Sequence, residues 1–157
     1  MADGSAPGPR VFDEEDIRRL LAWEIQRATR YQDFLSLCLA RPDHPGAPSR
    51  DTLDAMARRV LELLRSTDLV GLLGDSLAII LVHTPGTDAI VITERVRDLL
   101  EAATLPAGGS PAAVSSVLRL GLASFPTDAT SDTVLLEQAQ ARLTAPGRGA
   151  HGSRQTS

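Results

Sequence analysis

The 157-residue sequence contains no lysine and no asparagine, so arginine supplies all 16 of its basic side chains. The absence of lysine excludes a phosphate-binding P-loop lysine and a Schiff-base lysine, because both require a primary amine. A single cysteine, Cys38, excludes an internal disulfide and a thiolate metal cluster. Because Cys38 lies within a short apolar run, we expect it to be a small core residue and not a nucleophile.

Aromatic residues make up 3% of the chain, so its core must be built from Leu, Val, Ile and Ala. The formal net charge of −4 argues against a protein that binds nucleic acid through a basic surface. The longest apolar stretch, from Leu69 to Val82, is interrupted by Asp75 and is too short to cross a bilayer. The first ten residues lack the apolar region of a signal peptide. We therefore expect a cytoplasmic protein with no nucleic-acid partner and no membrane insertion.

The length corresponds to one domain. Residues 1–10 and 146–157 are rich in Gly, Pro and Ser and carry no periodic apolar pattern. Such segments are typical of disordered tails. We therefore predict a single domain over residues 11–145 with a disordered tail at each end.

Between these tails, the apolar spacing alternates between helical and strand periods. A Gly-Asp pair, Gly74-Asp75, separates two apolar runs and is typical of a tight β-hairpin. The predicted helices cover 14–30, 51–65, 88–103 and 131–144, the predicted strands 34–40, 69–73, 76–82 and 114–125, and the predicted loops 42–50 and 105–112. This order of elements favours one sheet covered by helices, in the α+β or mixed α/β class.

Trp23 lies off the main apolar stripe of the first predicted helix. A tryptophan in that position either covers a small satellite core or faces a partner. We favour the satellite core and keep the partner surface as the alternative.

Several segments, in this order, resemble the GGDEF family, whose active members are diguanylate cyclases. Residues 24–43 resemble the first helix and strand of the family, where an Arg-Tyr pair precedes a strand that ends in Asp-x-Asp. Residues 65–81 resemble its Arg-x-x-Asp segment and signature hairpin, residues 93–100 its Glu-Arg-x-Arg helix, and residues 117–143 its last strand and closing helix. The resemblance implies a nucleotide-cyclase-like central sheet of about five mostly antiparallel strands flanked by helices.

The signature Gly-Gly-Asp/Glu-Glu-Phe aligns with Gly74, Asp75, Ser76, Leu77 and Ala78. In this alignment a signature acid falls on Ser76, and the first Asp of Asp-x-Asp falls on Arg41. Active members bind magnesium and GTP through such a carboxylate pair, because Mg²⁺ prefers oxygen ligands. The family's Phe-Lys-x-x-Asn-Asp stretch is also deleted between residues 43 and 53. We therefore expect no catalytic residues, no bound metal, no GTP and no diguanylate cyclase activity.

The family's product-binding inhibitory site is the part that the sequence retains. Arg65 and Asp68 form an Arg-x-x-Asp at the expected offset before Gly74, and Arg95 occupies the position of a further Arg on the following helix. The resemblance implies that these three residues bind cyclic di-GMP. Guanidinium groups stack on guanine and donate to phosphate or to guanine O6 and N7.

The Arg-x-x-Asp spacing by itself has little specificity, because it also begins at Arg10, Arg30 and Arg95. A purely structural alternative stays open for the copy at Arg65. In it, Arg65 ends a helix, where a cation offsets the helix dipole, and Asp68 stabilises the following turn.

We therefore expect a catalytically inactive regulatory or interaction module of bacterial signalling. It would act on protein partners, or as a homodimer, with cyclic di-GMP as its candidate ligand. The alternative is an active diguanylate cyclase, or another nucleotide-processing enzyme, with a rebuilt metal site. The three histidines (His44, His83 and His151) show no spacing typical of metal ligands.

Overall fold

The computed structural model describes residues 10–43, 46–103, 105–107, 110–114 and 117–144. Both predicted tails lie outside these ranges, except for Arg10. The described residues form strands and helices in the order β1 (Val11–Phe12), α1 (Glu14–Tyr31), β2 (Leu35–Pro42), α2 (Arg50–Leu63), β3 (Leu69–Leu73), β4 (Ser76–Val82), α3 (Gly86–Ala102), β5 (Leu105–Ala107), β6 (Ser110–Val114), β7 (Leu118–Phe125) and α4 (Asp132–Thr144).

Five strands form the main sheet in the order β1-β3-β4-β2-β7. The two-residue β1 pairs in parallel with β3, and every other neighbouring pair in this sheet is antiparallel. The predicted sheet of about five mostly antiparallel strands, in an α+β fold, is thereby confirmed. Within the described residues, no helix is long and apolar enough to span a bilayer.

The helices cover both faces of the sheet, because the side chains of its central strands alternate between two cores. In β2, Cys38 and Ala40 face a core shared with α2 and α3. Leu35, Leu37 and Leu39 face a second core shared with α1 and α4. Complete burial of Cys38 raises the pKa of its thiol to about 12, which confirms it as a core residue.

The predicted helix positions are confirmed to within about two residues, and three of the helices begin at side-chain caps, α4 at Ser131, whose hydroxyl accepts the Val134 amide. Asp13 accepts a hydrogen bond from the Asp16 amide at the start of α1, and Ser49 accepts one from the Thr52 amide at the start of α2. One boundary matters for function. Helix α2 ends at Leu63, so Arg65 follows the helix. The structural alternative, which placed Arg65 in the last turn of the helix, was wrong on this point.

The predicted hairpin is confirmed, with Leu73 paired to Ser76 and the two residues between them forming the turn. Gly74 has a φ of +62°, as the first position of a type II′ turn requires. Of the signature segment 74–78, therefore, Gly74 and Asp75 form the turn, while the other three residues belong to β4.

The prediction for residues 105–125 was partly wrong. β5 and β6 form a small antiparallel hairpin that covers most of the predicted loop 105–112 and extends to Val114, the first residue of the predicted strand. The long strand of the sheet begins at Leu118 instead of residue 114. Proline and glycine make up half of residues 105–112 and favour a loop. In the structure, however, Leu105 pairs with Val114 and Ala107 with Ser110.

Candidate functional site

Asp68 is the buried centre of the turn that joins α2 to β3, with 1% of its side chain exposed. Its Oδ2 accepts the amide of Arg65 at 3.1 Å, and its Oδ1 accepts the amide of Val82 at 3.2 Å. The Nε of Arg65 lies 3.5 Å from the same Oδ2. The carboxylate therefore joins the start of β3 to the end of β4, which is a structural role.

Arg65 is held at the surface by the end of β4. Its Nη2 donates to the carbonyl oxygen of Val82 at 3.0 Å and to the hydroxyl of Thr84 at 2.9 Å. Its side chain is nevertheless 57% exposed. The guanidinium thus has a fixed position and an accessible face, and a ligand can bind it without first ordering a flexible side chain.

The structure brings all three predicted ligand residues to one surface cavity of about 260 Å³. Arg65 and Asp68 line it from the turn, and Arg95 lines it from α3. Arg95 is exposed and makes no polar contact with any other described residue. The remaining lining residues are Leu63, Leu64, His83, Thr84, Asp88 and Ile92. Two arginines beside aliphatic side chains can hold an anion and the face of a planar base.

Arg97, the second arginine of the Glu94-Arg95-Val96-Arg97 segment, has a different role. Its Nη1 donates to the carbonyl oxygen of Leu118 at 3.0 Å, and it pairs with Glu94 at 3.6 Å and with Glu101 at 3.5 Å. Its side chain is 15% exposed. Arg97 therefore fastens α3 to β7, and Arg95 is the arginine available to a ligand.

His83 is a cavity residue that the sequence reasoning did not assign to this site. It has a φ of +59°, unusual for a residue with a side chain, and its Nδ1 is hydrogen bonded to the carboxylate of Asp33. Burial raises the pKa of Asp33, but hydrogen bonds from Arg27, the Phe34 amide and His83 outweigh burial and lower it. No spacing in the sequence signals this contact, because Asp33 and His83 meet through the pairing of β2 with β4.

The signature turn is held by two other charged residues. The Nη1 of Arg41 lies 3.4 Å from Oδ2 of Asp75. The amide of Gly74 donates to Oε1 of Glu14 at 2.8 Å, and this bond and the neighbouring Arg18 lower the pKa of Glu14. Ser76 is buried in β4. The turn is therefore neutralised and fixed by the protein's own side chains.

These residues do not fit a magnesium–triphosphate site. Of the two carboxylates at the turn, Asp75 is paired with Arg41 and Glu14 with Arg18, and a guanidinium cannot ligate a metal. The next carboxylate after β2, Asp43, is paired with Arg119 at 2.9 Å. Among the described residues, no three His, Cys, Asp or Glu side chains form a cluster suited to a metal ion. His44 and His151 lie outside the described residues.

A family model described as "Diguanylate cyclase, GGDEF domain" matches residues 49–150. No curated protein matches the sequence.

Solved structures with the same fold include the GGDEF domain of TpbB (YfiN) from Pseudomonas aeruginosa. It is 24% identical, with a TM-score of 0.72, and the match covers 85% of this chain and 82% of that one. The GGDEF domain of DgcB from Caulobacter crescentus, in complex with c-di-GMP, is 18% identical, with a TM-score of 0.69 and coverage of 96% and 91%. The diguanylate cyclase SiaD of P. aeruginosa, in complex with its activator SiaC, is 21% identical, with a TM-score of 0.60 and coverage of 82% and 55%.

Proposed function

Because the chain belongs to the family of diguanylate cyclase GGDEF domains, we propose that it is a catalytically inactive member of that family. In this proposal it binds cyclic di-GMP in the cavity lined by Arg65, Asp68 and Arg95 and passes the signal to a protein partner in the bacterial cytoplasm. The single observation that carries the proposed loss of catalysis is the pairing of Arg41 with Asp75 at the signature turn.

The loss of activity follows from charge. Two metal ions bound to GTP need several carboxylate oxygens at the end of β2 and at the turn. Arg41 brings a positive charge to that place and occupies Asp75, and Ser76 offers only a hydroxyl. A cation must be brought there against the field of Arg41, and the two carboxylates at the turn are already engaged, Asp75 by Arg41 and Glu14 by Arg18 and the Gly74 amide. We therefore propose that neither GTP nor magnesium binds productively.

The cavity supports the binding half of the proposal. Cyclic di-GMP carries two phosphates and two guanines, which guanidinium groups recognise by charge, hydrogen bonding and stacking. Arg65 is already fixed by Val82 and Thr84, and Arg95 faces the same space from α3. DgcB, which has the same fold, is known in complex with c-di-GMP.

A protein partner is the output that a non-catalytic domain requires. SiaD, a further protein of this fold, is known in complex with its activator SiaC. We propose by analogy that ligand binding in this chain changes its affinity for another protein.

Fluorescence anisotropy with labelled cyclic di-GMP tests the binding claim through Arg95→Ala. Arg95 makes no polar contact within the described part of the chain, so its removal leaves the fold intact. We expect affinity to fall roughly ten- to a hundredfold, the effect of about 1–3 kcal/mol for one bidentate arginine contact. The matched control is Arg59→Ala, which removes an exposed arginine on α2 outside the cavity. Equal losses in both variants would indicate nonspecific charge attraction and overturn the site.

A further inference from the structure

Three of the five aromatic residues of the chain are exposed, and all three lie on α1 or immediately after it. Trp23 is 69% exposed, Tyr31 67% and Phe34 45%. The prediction that Trp23 covers a satellite core was therefore wrong, and the alternative of a partner surface remains. Exposed tryptophan and tyrosine are uncommon on free surfaces and are enriched at protein interfaces.

A charge pattern is centred on Trp23 along the exposed face of α1. A helix advances about 100° per residue, so residues seven before and seven after Trp23 project within about 20° of it. These are Asp16 and Arg30. Arg30 forms no ion pair with any described residue, and its guanidinium is available to a second molecule. We name the surface formed by Asp16, Trp23, Arg30 and Tyr31 the tryptophan face.

We propose that the tryptophan face is a self-association surface, on which two copies of this chain pair their α1 helices antiparallel about Trp23. In that arrangement the two Trp23 rings meet at the two-fold axis. Asp16 of each copy lies opposite Arg30 of the other, about 10 Å along the helix from the axis. A two-fold interface of this kind is self-complementary.

The charges select this orientation. A parallel pairing would place Arg30 against Arg30 and Asp16 against Asp16, whereas the antiparallel one brings opposite charges together and opposes the two helix dipoles. The same symmetry brings Arg19 near Arg27. Both are already paired within their own copy, Arg19 with Glu15, and Arg27 with Glu24 and Asp33. Asp16 also pairs with Arg19 of its own copy, so in the dimer its carboxylate is shared between that Arg19 and Arg30 of the other copy.

The small surface area that two paired α1 helices bury predicts a weak dimer. One helix face buries less than the roughly 1,200–2,000 Å² of ordinary stable complexes. We therefore expect a dissociation constant of roughly 10–100 μM, in the range of transient assemblies. This inference does not depend on ligand binding at the Arg65 cavity.

Sedimentation equilibrium of the full chain between about 5 and 300 μM tests the proposal, and the expected weight-average mass rises from 16.7 kDa towards twice that value. Trp23→Ala, Arg30→Glu and Asp16→Arg should each weaken association at least tenfold, while Asp16→Arg combined with Arg30→Glu should restore it. Ile90→Ala and Arg59→Glu are controls that change an exposed apolar residue and an exposed arginine elsewhere. Far-UV circular dichroism verifies that each variant is folded.

Trp23 is the only tryptophan in the chain, so its fluorescence reports on this surface alone. We expect its emission to shift to shorter wavelength as concentration rises, because the indole leaves water. A wild-type protein that stays monomeric with an unshifted emission overturns the proposal. So does association that survives Trp23→Ala, or a double charge swap that fails to restore association in a folded protein.

Discussion

The Nη1 of Arg41, at the end of β2, lies 3.4 Å from Oδ2 of Asp75 in the turn between β3 and β4. β2 and β4 are paired through Ala40 and Leu77, so the sheet itself brings these two charges together. An arginine therefore faces the signature turn, where an active relative would need negative charge. The proposed loss of catalysis therefore follows from the pairing of β2 with β4, which puts Arg41 beside Asp75.

The first prediction concerns turnover. Purified protein incubated with GTP and Mg²⁺ is expected to form no cyclic di-GMP, because Asp75 and Asp43 are each paired with an arginine. Chromatography of the reaction mixture against a no-enzyme control measures it. Product that disappears in Asp75→Asn or Asp43→Asn would show that a rebuilt metal site exists.

The second prediction separates structural from ligand-facing carboxylates in the cavity. Asp68→Asn should lower the free energy of unfolding by about 2 kcal/mol, because a buried acceptor of two backbone amides becomes an amide that cannot satisfy both. Asp88→Asn, at an exposed position of the same cavity, should change it by less than about 0.5 kcal/mol. Urea denaturation of both variants measures the difference, and equal effects would contradict the assigned roles.

The third prediction concerns Arg65, which both holds the end of β4 and lines the ligand cavity. Arg65→Ala should weaken cyclic di-GMP binding roughly ten- to a hundredfold, and it should also lower the melting temperature, because the bonds to Val82 and Thr84 are lost. Arg30→Ala removes the first residue of another Arg-x-x-Asp and should leave affinity unchanged, since Asp33 pairs with Arg27 and His83. Calorimetry of the two variants, at a protein concentration where both are monomeric, measures their affinities for cyclic di-GMP. Equal losses in both variants would show that the location of Arg65 in the cavity does not determine binding.

The fourth prediction concerns acid stability. Hydrogen bonds from Arg142, and then from the Ser124 amide, lower the pKa of Asp128 below its ordinary value of 3.8. A carboxyl group with a lowered folded pKa stabilises the fold above its unfolded pKa and loses that contribution as the pH falls through the folded value. Stability should therefore decline below about pH 4, and the decline should be shallower in Asp128→Asn. Denaturation curves of the wild type and of Asp128→Asn from pH 6 to pH 2.5 give the unfolding free energy at each pH. The same decline with falling pH in both proteins would contradict the prediction.

The fifth prediction concerns packing of α4 on the sheet. A Cβ at Gly121 would lie 2.1 Å from the carbonyl oxygen of Ala139 and 2.6 Å from the amide of Leu143. Gly121→Ala should therefore displace α4 and cost about 3 kcal/mol or more. Gly74→Ala meets no neighbour and strains only the turn, at roughly 1–2 kcal/mol. Equal unfolding free energies for the two variants would show that α4 can move without penalty.

The sequence predicted four of the five strands of the main sheet and the four helices because their signals are local. The two-residue β1 was not predicted, since so short a segment carries no periodicity. Gly74-Asp75 marks a hairpin by its turn chemistry, and residues 34–40 mark a strand by continuous apolar character. The small β5–β6 hairpin has no such signal, since its prolines and glycines are typical of loops. Its pairing became evident only from the backbone.

The candidate site was predictable in part for the same reason. The offset of Arg65 and Asp68 from the hairpin is a sequence property, and it placed both at the cavity. The resemblance also named Arg95 on the following helix. Burial of the Asp68 carboxylate depends on the end of β4, where the Val82 amide donates to it, and the bond from Arg97 to Leu118 depends on how α3 packs against β7. The contact of His83 with Asp33 and the pairing of Arg41 with Asp75 depend on strand register, which periodicity does not fix.

Parallel calorimetric titrations of the wild-type protein with cyclic di-GMP and with GTP and Mg²⁺ separate a binding domain from an enzyme. We expect saturable heat with cyclic di-GMP and none with GTP and Mg²⁺, because the Arg65–Arg95 cavity is open while Arg41 is paired with Asp75 at the signature turn. Saturable heat with GTP and Mg²⁺, or no heat with cyclic di-GMP, would contradict the proposed function.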